Sequence, residues 1–390
     1  MSEEHGQVIE DAGEMVLNMG PHHPSTHGVI RLVLELDGEV VRTVTPDIGY
    51  LHRGIEKIAE GMTWQGFMPY TDRIDYLGAM FMNHAYAMAV ERLHGIEVPP
   101  RAEYLRVLAD ELNRIASHLI CLGSVTMDLG AYTPFLNAVR EREVINDIIE
   151  TLCGARLTYN YMRVGGVSFD LPPGLRERIL TWLDGFEVFL DEFDRLITYN
   201  EIFLHRCKDV GVITAGEAIG WGLVGPNLRA SGVDSDLRRD LPYSVYKDLS
   251  FDVVVGRGSV GTVGDVFDRF WCRIEEIKQS CGLVRQVLAG MPLGPILGKV
   301  PKKLKAEIPL GPGGAKGGPG ADAHVRIESA RGDTLVYAVS DGSEKPYRLR
   351  FRTGSFTALS IMAHKGAGMM VADLVALFAS LDVIAPETDR

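Results

Sequence analysis

What this sequence has little of narrows its function before any motif is read. Its five cysteines, at positions 121, 153, 207, 272 and 281, are odd in number and form no Cys-x-x-Cys pair. Neither a disulfide framework nor a cysteine-ligated metal site is supported, and five reduced thiols in a cytosolic compartment are the expectation. No apolar run approaches the roughly 18 residues that a membrane-spanning helix needs. Even Leu374–Leu381 is short and follows Asp373, so no transmembrane span of its own is expected. Met1–Glu14 is acidic and has no apolar h-region, so no signal peptide is expected. The lysine in Gly311–Gly320 is not followed by Ser or Thr, which removes a phosphate loop; Gly-x-Ser-x-Gly and His-Glu-x-x-His do not occur. Positive charge is in deficit, with 40 basic against 52 acidic residues and a net charge of −12. A field of that sign repels phosphate backbones, so no nucleic-acid partner is expected. No internal repeat is found.

What is there is ordinary soluble composition, 46% apolar and 24% charged over 390 residues, enough for a sizeable core. Met15–Asn18, Val29–Leu36 and Val40–Val44 alternate in the strand manner, with Asp37-Gly38 as a hairpin turn. From about residue 60 the period turns helical. After Pro99-Pro100, Leu105, Leu108, Leu112, Ile115 and Leu119 form a stripe, with Arg106, Asp110, Glu111 and Arg114 off it. Val144–Leu152 and Ile179–Ile197 repeat the pattern, giving three or four long helices packed as a bundle. Residues 205–262 are irregular, a helix runs from near Asp265 to Met291, and 309–321 is a Gly/Pro-rich surface loop. Thr334–Ser340 and Tyr347–Arg352 make a second hairpin around Asp341-Gly342, and a last helix covers about Ser360–Ser380. The predicted fold class is multi-part α+β: a central all-α bundle with α+β portions from the N- and C-terminal segments. Its parts are 1–60 (β-rich), 61–204 (helical bundle) and 205–390 (irregular loop, helix, hairpin and C-terminal helix), joined in one compact unit.

Gly256-Arg-Gly258-Ser-Val-Gly261 is a literal G-x-G-x-x-G after the strand-like Phe251–Val255. A dinucleotide site would also need an acidic residue ending a second strand about 20 positions on. That position falls at Glu275-Glu276, inside a helix, so the dinucleotide reading is rejected for a glycine-rich turn. Gly20-Pro-His-His-Pro-Ser-Thr-His-Gly28 is more unusual: three histidines in a rigid polar turn between strands. It is either a surface turn or a loop that fixes one imidazole as a proton donor. A metal site is disfavoured, because Pro24 stiffens the stretch and the adjacent His22 and His23 point to opposite sides. Asp72-Arg-Ile-Asp-Tyr76 puts two carboxylates, a guanidinium and a phenol at the start of a helix, where acidic residues also suit the macrodipole. Asp128 lies in an apolar run and must be paired or face water at a bend. Leu51–Glu56 adds a cationic turn. Composition does not say whether these pieces meet.

Together these segments resemble one family, the D-type (catalytic, quinone-site) subunits of respiratory complex I. The resemblance is carried by Gly20–Gly28, Ile48–Lys57, Asp72–Tyr76, Asn113–His118, Met127–Ala131, Leu228–Val233, Gly264–Arg269, Glu328–Asp333, Val339–Gly342 and Asp382–Arg390, in the family order. Two departures stand out: His22 replaces a usual glutamine, and 309–321 is unusually rich in Gly and Pro. That family in turn resembles the large subunit of nickel–iron hydrogenases, which implies a hydrogenase-large-subunit-like fold. Hydrogenases hold their metals with two Cys-x-x-Cys pairs. Set against this sequence, the first falls on Asp75 and Gly78 and the second on Ile384 and Glu387, none of them cysteine. A nickel site needs soft thiolates, so a hydrogenase is excluded and no metal is expected in this chain.

The resemblance implies a quinone headgroup site in the vacated cavity. Quinone reduction needs a proton donor for each carbonyl, and the family's donors match His27 and Tyr76. Asp128 matches the carboxylate that pairs with the loop histidine, orienting it and countering its charge. Arg53 matches an arginine near a [4Fe-4S] cluster held by a neighbouring subunit, and Asp72, His118 and His23 match polar neighbours of the same region. Phe67, Met68, Met80 and Met82 could line a quinone channel, although core packing is their commoner role. The implied whole is a peripheral-arm subunit of a proton-translocating NADH:quinone oxidoreductase, with ubiquinone or menaquinone as substrate. It would sit on the cytoplasmic side of a bacterial inner membrane. Its partners would be a cluster-bearing small subunit, a C-type subunit and a membrane subunit of the H type. An equivalent subunit fed by ferredoxin or deazaflavin, or a scaffold with a dead site, are the other readings.

Overall fold

In the computed structural model, residues 15–305 and 322–390 are described. The N-terminal stretch Met1–Glu14 and the Gly/Pro-rich 309–321 loop lie outside the described residues.

The chain folds as long helices with small antiparallel sheets. Met15–Met19, Arg31–Asp37 and Val40–Asp47 form one sheet with Arg31–Asp37 in the middle. Alternation decides which face it buries: Leu32, Leu34 and Leu36 point inward with Val41 and Val44. They pack on the C-terminal helix Val371–Ser380 in a core of their own. A second sheet has Gly332–Ser340 between Asp322–Ser329 and Pro346–Arg352. The sequence predicted the last two as a hairpin; the third strand, Asp322–Ser329, is additional.

The helical centre is built on Pro100–Asp128, entered through Pro99 in extended geometry with Pro100 at its first position. Tyr132–Cys153, Ala79–His94 and Val266–Gly290 surround it, and Leu175–Phe193 packs on the outer helices. Its apolar stripe is buried as its spacing requires. So, however, are Arg106, Asp110, Glu111 and Arg114 on the other faces. Neighbours enclose the helix on all sides, and each charge is compensated inside. Arg106 pairs with Glu91, Asp110 lies 2.6 Å from His84 Nδ1, and Glu111 meets Arg114 and Arg238 at 3.3 Å.

Three local expectations are corrected. Phe251–Val255 is not a strand, and Gly256 serves packing: a Cβ there would lie 2.1 Å from the Ala230 carbonyl oxygen. The last helix is three short ones, Gly354–Ser360, Met362–Lys365 and Val371–Ser380, interrupted where Gly368 adopts φ +84°. Asp72–Tyr76 does not begin a helix. It follows the helix Trp64–Thr71, with Asp72 as its C-cap, and fills the turn before Ala79–His94. That turn places Tyr76, partly buried, at the wall of a cavity.

Candidate functional site

The histidine loop is fixed by its own backbone. His22 and His23 pair with Val29 and Gly28, and Pro24–Thr26 makes a single 3₁₀ turn between them. The buried Thr26 hydroxyl bridges the carbonyl oxygens of His23 (2.8 Å) and Gly28 (3.0 Å). His27 leaves the turn with φ +48°, a left-handed conformation unusual for a residue with a side chain. That turn aims its imidazole at the end of the long central helix. There His27 Nε2 stands 2.8 Å from Asp128 Oδ2, with the two side chains 23% and 5% exposed. The approach is too oblique for a straight hydrogen bond, and neither atom has another protein partner. The contact is therefore an electrostatic one that leaves the ring nitrogen available.

Tyr76 meets this loop from the other side. His27 and Tyr76 line one cavity of 50 Å³, closed by Ile120, Cys121 and Ser124 of the central helix and by Phe378, Asp382 and Ile384. Burial, and next the neighbouring Asp75 carboxylate, push the Tyr76 phenol above its ordinary value. The hydroxyl thus holds its proton firmly at neutral pH. Residues 27, 76 and 128, far apart along the chain, are brought to one place.

The other sequence-predicted residues lie around this cavity rather than in it. Arg53 donates to the Arg73 carbonyl oxygen at 2.7 Å, and the two arginines line a separate cavity of 430 Å³ with Ile55, Ile58, Pro69 and Tyr70. Asp72 is fully buried; its Oδ2 accepts from the Asn160 backbone N–H at 3.1 Å and its Oδ1 has no partner. Burial pushes its carboxyl up to about 7. Beside it a larger cavity of 680 Å³ is lined mainly by Met68, Pro69, Val164, Val167, Phe169 and Arg163. His118 is buried in the bundle with Nε2 2.9 Å from Glu276 Oε2, and burial lowers its pKa. His23 is exposed and accepts a 3.2 Å hydrogen bond from the Ser25 backbone N–H, so it caps the turn. Phe67, Met80 and Met82 pack in the main core.

Sequence reasoning missed a cluster directly behind Tyr76. Arg331, 2% exposed, reaches from the turn between two strands into the bundle. Its guanidinium pairs with Asp75, with Asp382 Oδ2 at 3.0 Å and with Glu387 Oε2 at 3.1 Å. Asp75 and Glu387 are two of the positions set against hydrogenase cysteines, and a Cβ on a third, Gly78, would lie 3.4 Å from the guanidinium. The signal was present in that correspondence, as carboxylates at both ends of the chain facing a common centre. No partner for them could be named without the fold. Among the described residues no group of three or more His, Cys, Asp or Glu side chains is placed to hold a metal ion. No helix of the described residues is long and apolar enough to cross a membrane. All five cysteines are free and buried.

Comparison with known proteins gives concordant matches. The family described as "Respiratory-chain NADH dehydrogenase, 49 Kd subunit" matches residues 128–390. The chain is 57% identical over 390 residues to the NADH-quinone oxidoreductase D 2 subunit of Sorangium cellulosum, covering 99% of this chain and 97% of that one. It is 58% identical over 377 residues to the D 2 subunit of Anaeromyxobacter dehalogenans, covering 97% and 96%. With the D subunit of Bacillus anthracis it shares 48% identity over 377 residues, covering 96% and 98%.

Proposed function

Because the chain belongs to the family of the respiratory-chain NADH dehydrogenase 49 kDa subunit, we propose that it forms the quinone headgroup site of an NADH:quinone oxidoreductase. The observation that carries this reading is the single cavity shared by His27 and Tyr76, with Asp128 2.8 Å from the imidazole. Reduction delivers two electrons to the ring and leaves two oxygens that need protons; a phenol and an imidazole lining one cavity can supply one each. Burial and the Asp75 carboxylate hold the Tyr76 proton firmly, which makes the phenol the reluctant donor of the two. Loss of the imidazole proton leaves Asp128 without its counter-charge. That local electrostatic change is one which a membrane arm could sense.

Electrons reach this site from a [4Fe-4S] cluster in a neighbouring small subunit. Arg53 and Arg73, at the mouth of the 430 Å³ cavity, supply positive charge on the side proposed to face it. A C-type subunit and a membrane subunit of the H type complete the surroundings, on the cytoplasmic side of the membrane. NADH as the donor of the whole complex is favoured over ferredoxin or deazaflavin by the names of the relatives. The 50 Å³ cavity takes about one or two waters, and a quinone ring needs several times that. Binding therefore requires the His27 loop to swing away from Tyr76. The loop is held by a two-residue strand pairing, the Thr26 hydroxyl on the His23 and Gly28 carbonyls and the His27–Asp128 contact, so opening moves it as a unit.

Membranes carrying wild type, Tyr76→Phe and His27→Ala test this. NADH oxidation is followed with a quinone and, separately, with ferricyanide, which takes electrons upstream. Quinone activity should fall by about two orders of magnitude or more in both variants while ferricyanide activity and assembly stay at wild-type levels. Normal quinone reduction by both would place the donors elsewhere.

A further inference from the structure

Three carboxylates share one buried cation behind the proposed headgroup site. Asp75, from the turn before the helix Ala79–His94, and Asp382, after the helix Val371–Ser380, take the two terminal nitrogens of Arg331. The terminal nitrogen facing Asp382 also donates to the Ser117 hydroxyl at 3.2 Å. Glu387 is left with Nε, 3.1 Å away but off-axis, and with the Ser355 hydroxyl, which donates to its Oε2. Its other oxygen, Oε1, is buried with no hydrogen-bond partner among the described residues. All four charged groups are at most 7% exposed. Fully ionised, the group would carry a formal charge of −2 in a dry interior. Uncompensated buried charge is costly, and the ordinary remedy is to bind a proton. The partnerless oxygen of Glu387 is the place for it.

We propose that the Arg331 cluster is a one-proton store for quinone reduction, with Glu387 holding the proton and Asp382 relaying it to Tyr76. The proposal rests on the reading of Tyr76 as a donor. Asp382 lines the same 50 Å³ cavity as Tyr76, which has room for about one water. When Tyr76 gives its proton to a quinone oxygen, the tyrosinate takes one back through that water and Asp382. Glu387 releases the replacement and becomes a carboxylate paired with Arg331. Tyr76 returns from −1 to neutral as the cluster goes from −1 to −2; the electrons are those of the quinone reaction itself. Burial, with the Asp75 carboxylate adding to it, pushes Glu387 up to about 7, so the store is part-filled at neutral pH. Besides these carboxylates, Arg331 and Ser355, the groups around the cluster are Tyr76, Ser117 and Cys121, with the buried Arg273 guanidinium also acting on Cys121. The Cys121 thiol is pushed up by burial to about 12 and keeps its proton throughout.

The test uses the assembled complex in membranes, with quinone turnover followed from about pH 5.5 to about pH 9, spanning the range around neutrality where the store would empty, and ferricyanide activity as the assembly control. Wild-type turnover should fall as pH rises through about 7, as the store empties. Glu387→Gln should lower kcat at least tenfold with quinone KM within twofold, and should flatten that limb; Glu387→Asp should restore it. Ser355→Ala, which removes a donor to the ionised form, should move the limb to higher pH and remains informative if Glu387→Gln fails to assemble. A limb that neither Glu387→Gln nor Ser355→Ala moves overturns the store. If Tyr76→Phe abolishes quinone turnover in the same series, the store alone has failed; if Tyr76→Phe is normal, the headgroup reading has failed with it.

Discussion

Two histidine–carboxylate pairs of almost equal length sit in different surroundings. His27–Asp128 measures 2.8 Å and His118–Glu276 measures 2.9 Å. Glu276 is also clamped by Arg229 at 2.7 Å, and Arg229 continues to Glu328 and Asp236, so the second pair belongs to a buried ion-pair network. His118 has no exposure, whereas the His27 side chain is 23% exposed, sits on a short loop and borders a cavity. Distance alone does not separate a proton donor from a structural pair. Each ring keeps a buried nitrogen without a hydrogen-bond partner among the described residues, so the separating features are access and the neighbouring cavity.

The comparison can be broken most severely from the buried side. Glu276→Ala strips His118 and Arg229 of a buried partner and should cost about 3–5 kcal/mol, read as a lower unfolding midpoint and loss of the protein from membranes. Asp128→Asn should do the opposite. Its cost in stability should be well below that of Glu276→Ala, since Asn keeps the side chain's shape and the contact is not a hydrogen bond, while quinone turnover falls on the order of ten- to a hundredfold with ferricyanide activity unchanged. A variant of Glu276 that folds normally, or an Asp128→Asn that unfolds, would reverse the assignment of roles.

A subtler effect lies in the pH dependence of stability. His118 has its folded-state pKa lowered by burial, so the unfolded chain binds the extra proton and this contribution is lost as pH falls below about 6.5. Asp72 is raised to about 7, so the folded chain binds the extra proton and its contribution is lost as pH rises from about 4 through 7. Asp72→Asn should reduce the second slope, to which the raised carboxyls of Glu387 and Glu328 also contribute, and leave the first, measured as unfolding midpoint against pH. The smallest effect expected is none. Burial pushes the thiols of Cys121, Cys272 and Cys281 to about 12 or above, and alkylation of the native protein should leave all five cysteines unmodified by mass spectrometry.

The long helices and both hairpins were legible because their apolar spacing and turn residues are local signals. The stripe of Pro100–Asp128 marked one buried face, but periodicity has no term for a helix enclosed on every side. Arg106, Asp110, Glu111 and Arg114 therefore read as a polar face when each in fact has an internal partner. The histidine turn, Asp72–Tyr76 and Asp128 stood out by their chemistry, but their roles came through the resemblance, and composition gave no sign that they meet. Arg331 escaped altogether. Its partners lie 256, 51 and 56 positions away, and only the close approach of both chain halves defines its role.

The most direct measurement is a structure of the assembled complex with a short-chain quinone bound. The account predicts a headgroup between the His27 loop and Tyr76, one carbonyl oxygen within about 2.6–3.2 Å of the Tyr76 hydroxyl and the other facing His27. A headgroup seated instead in the cavity beside Arg53 and Arg73, or in the one beside Arg163, with the His27 loop still closed on Tyr76, would contradict it.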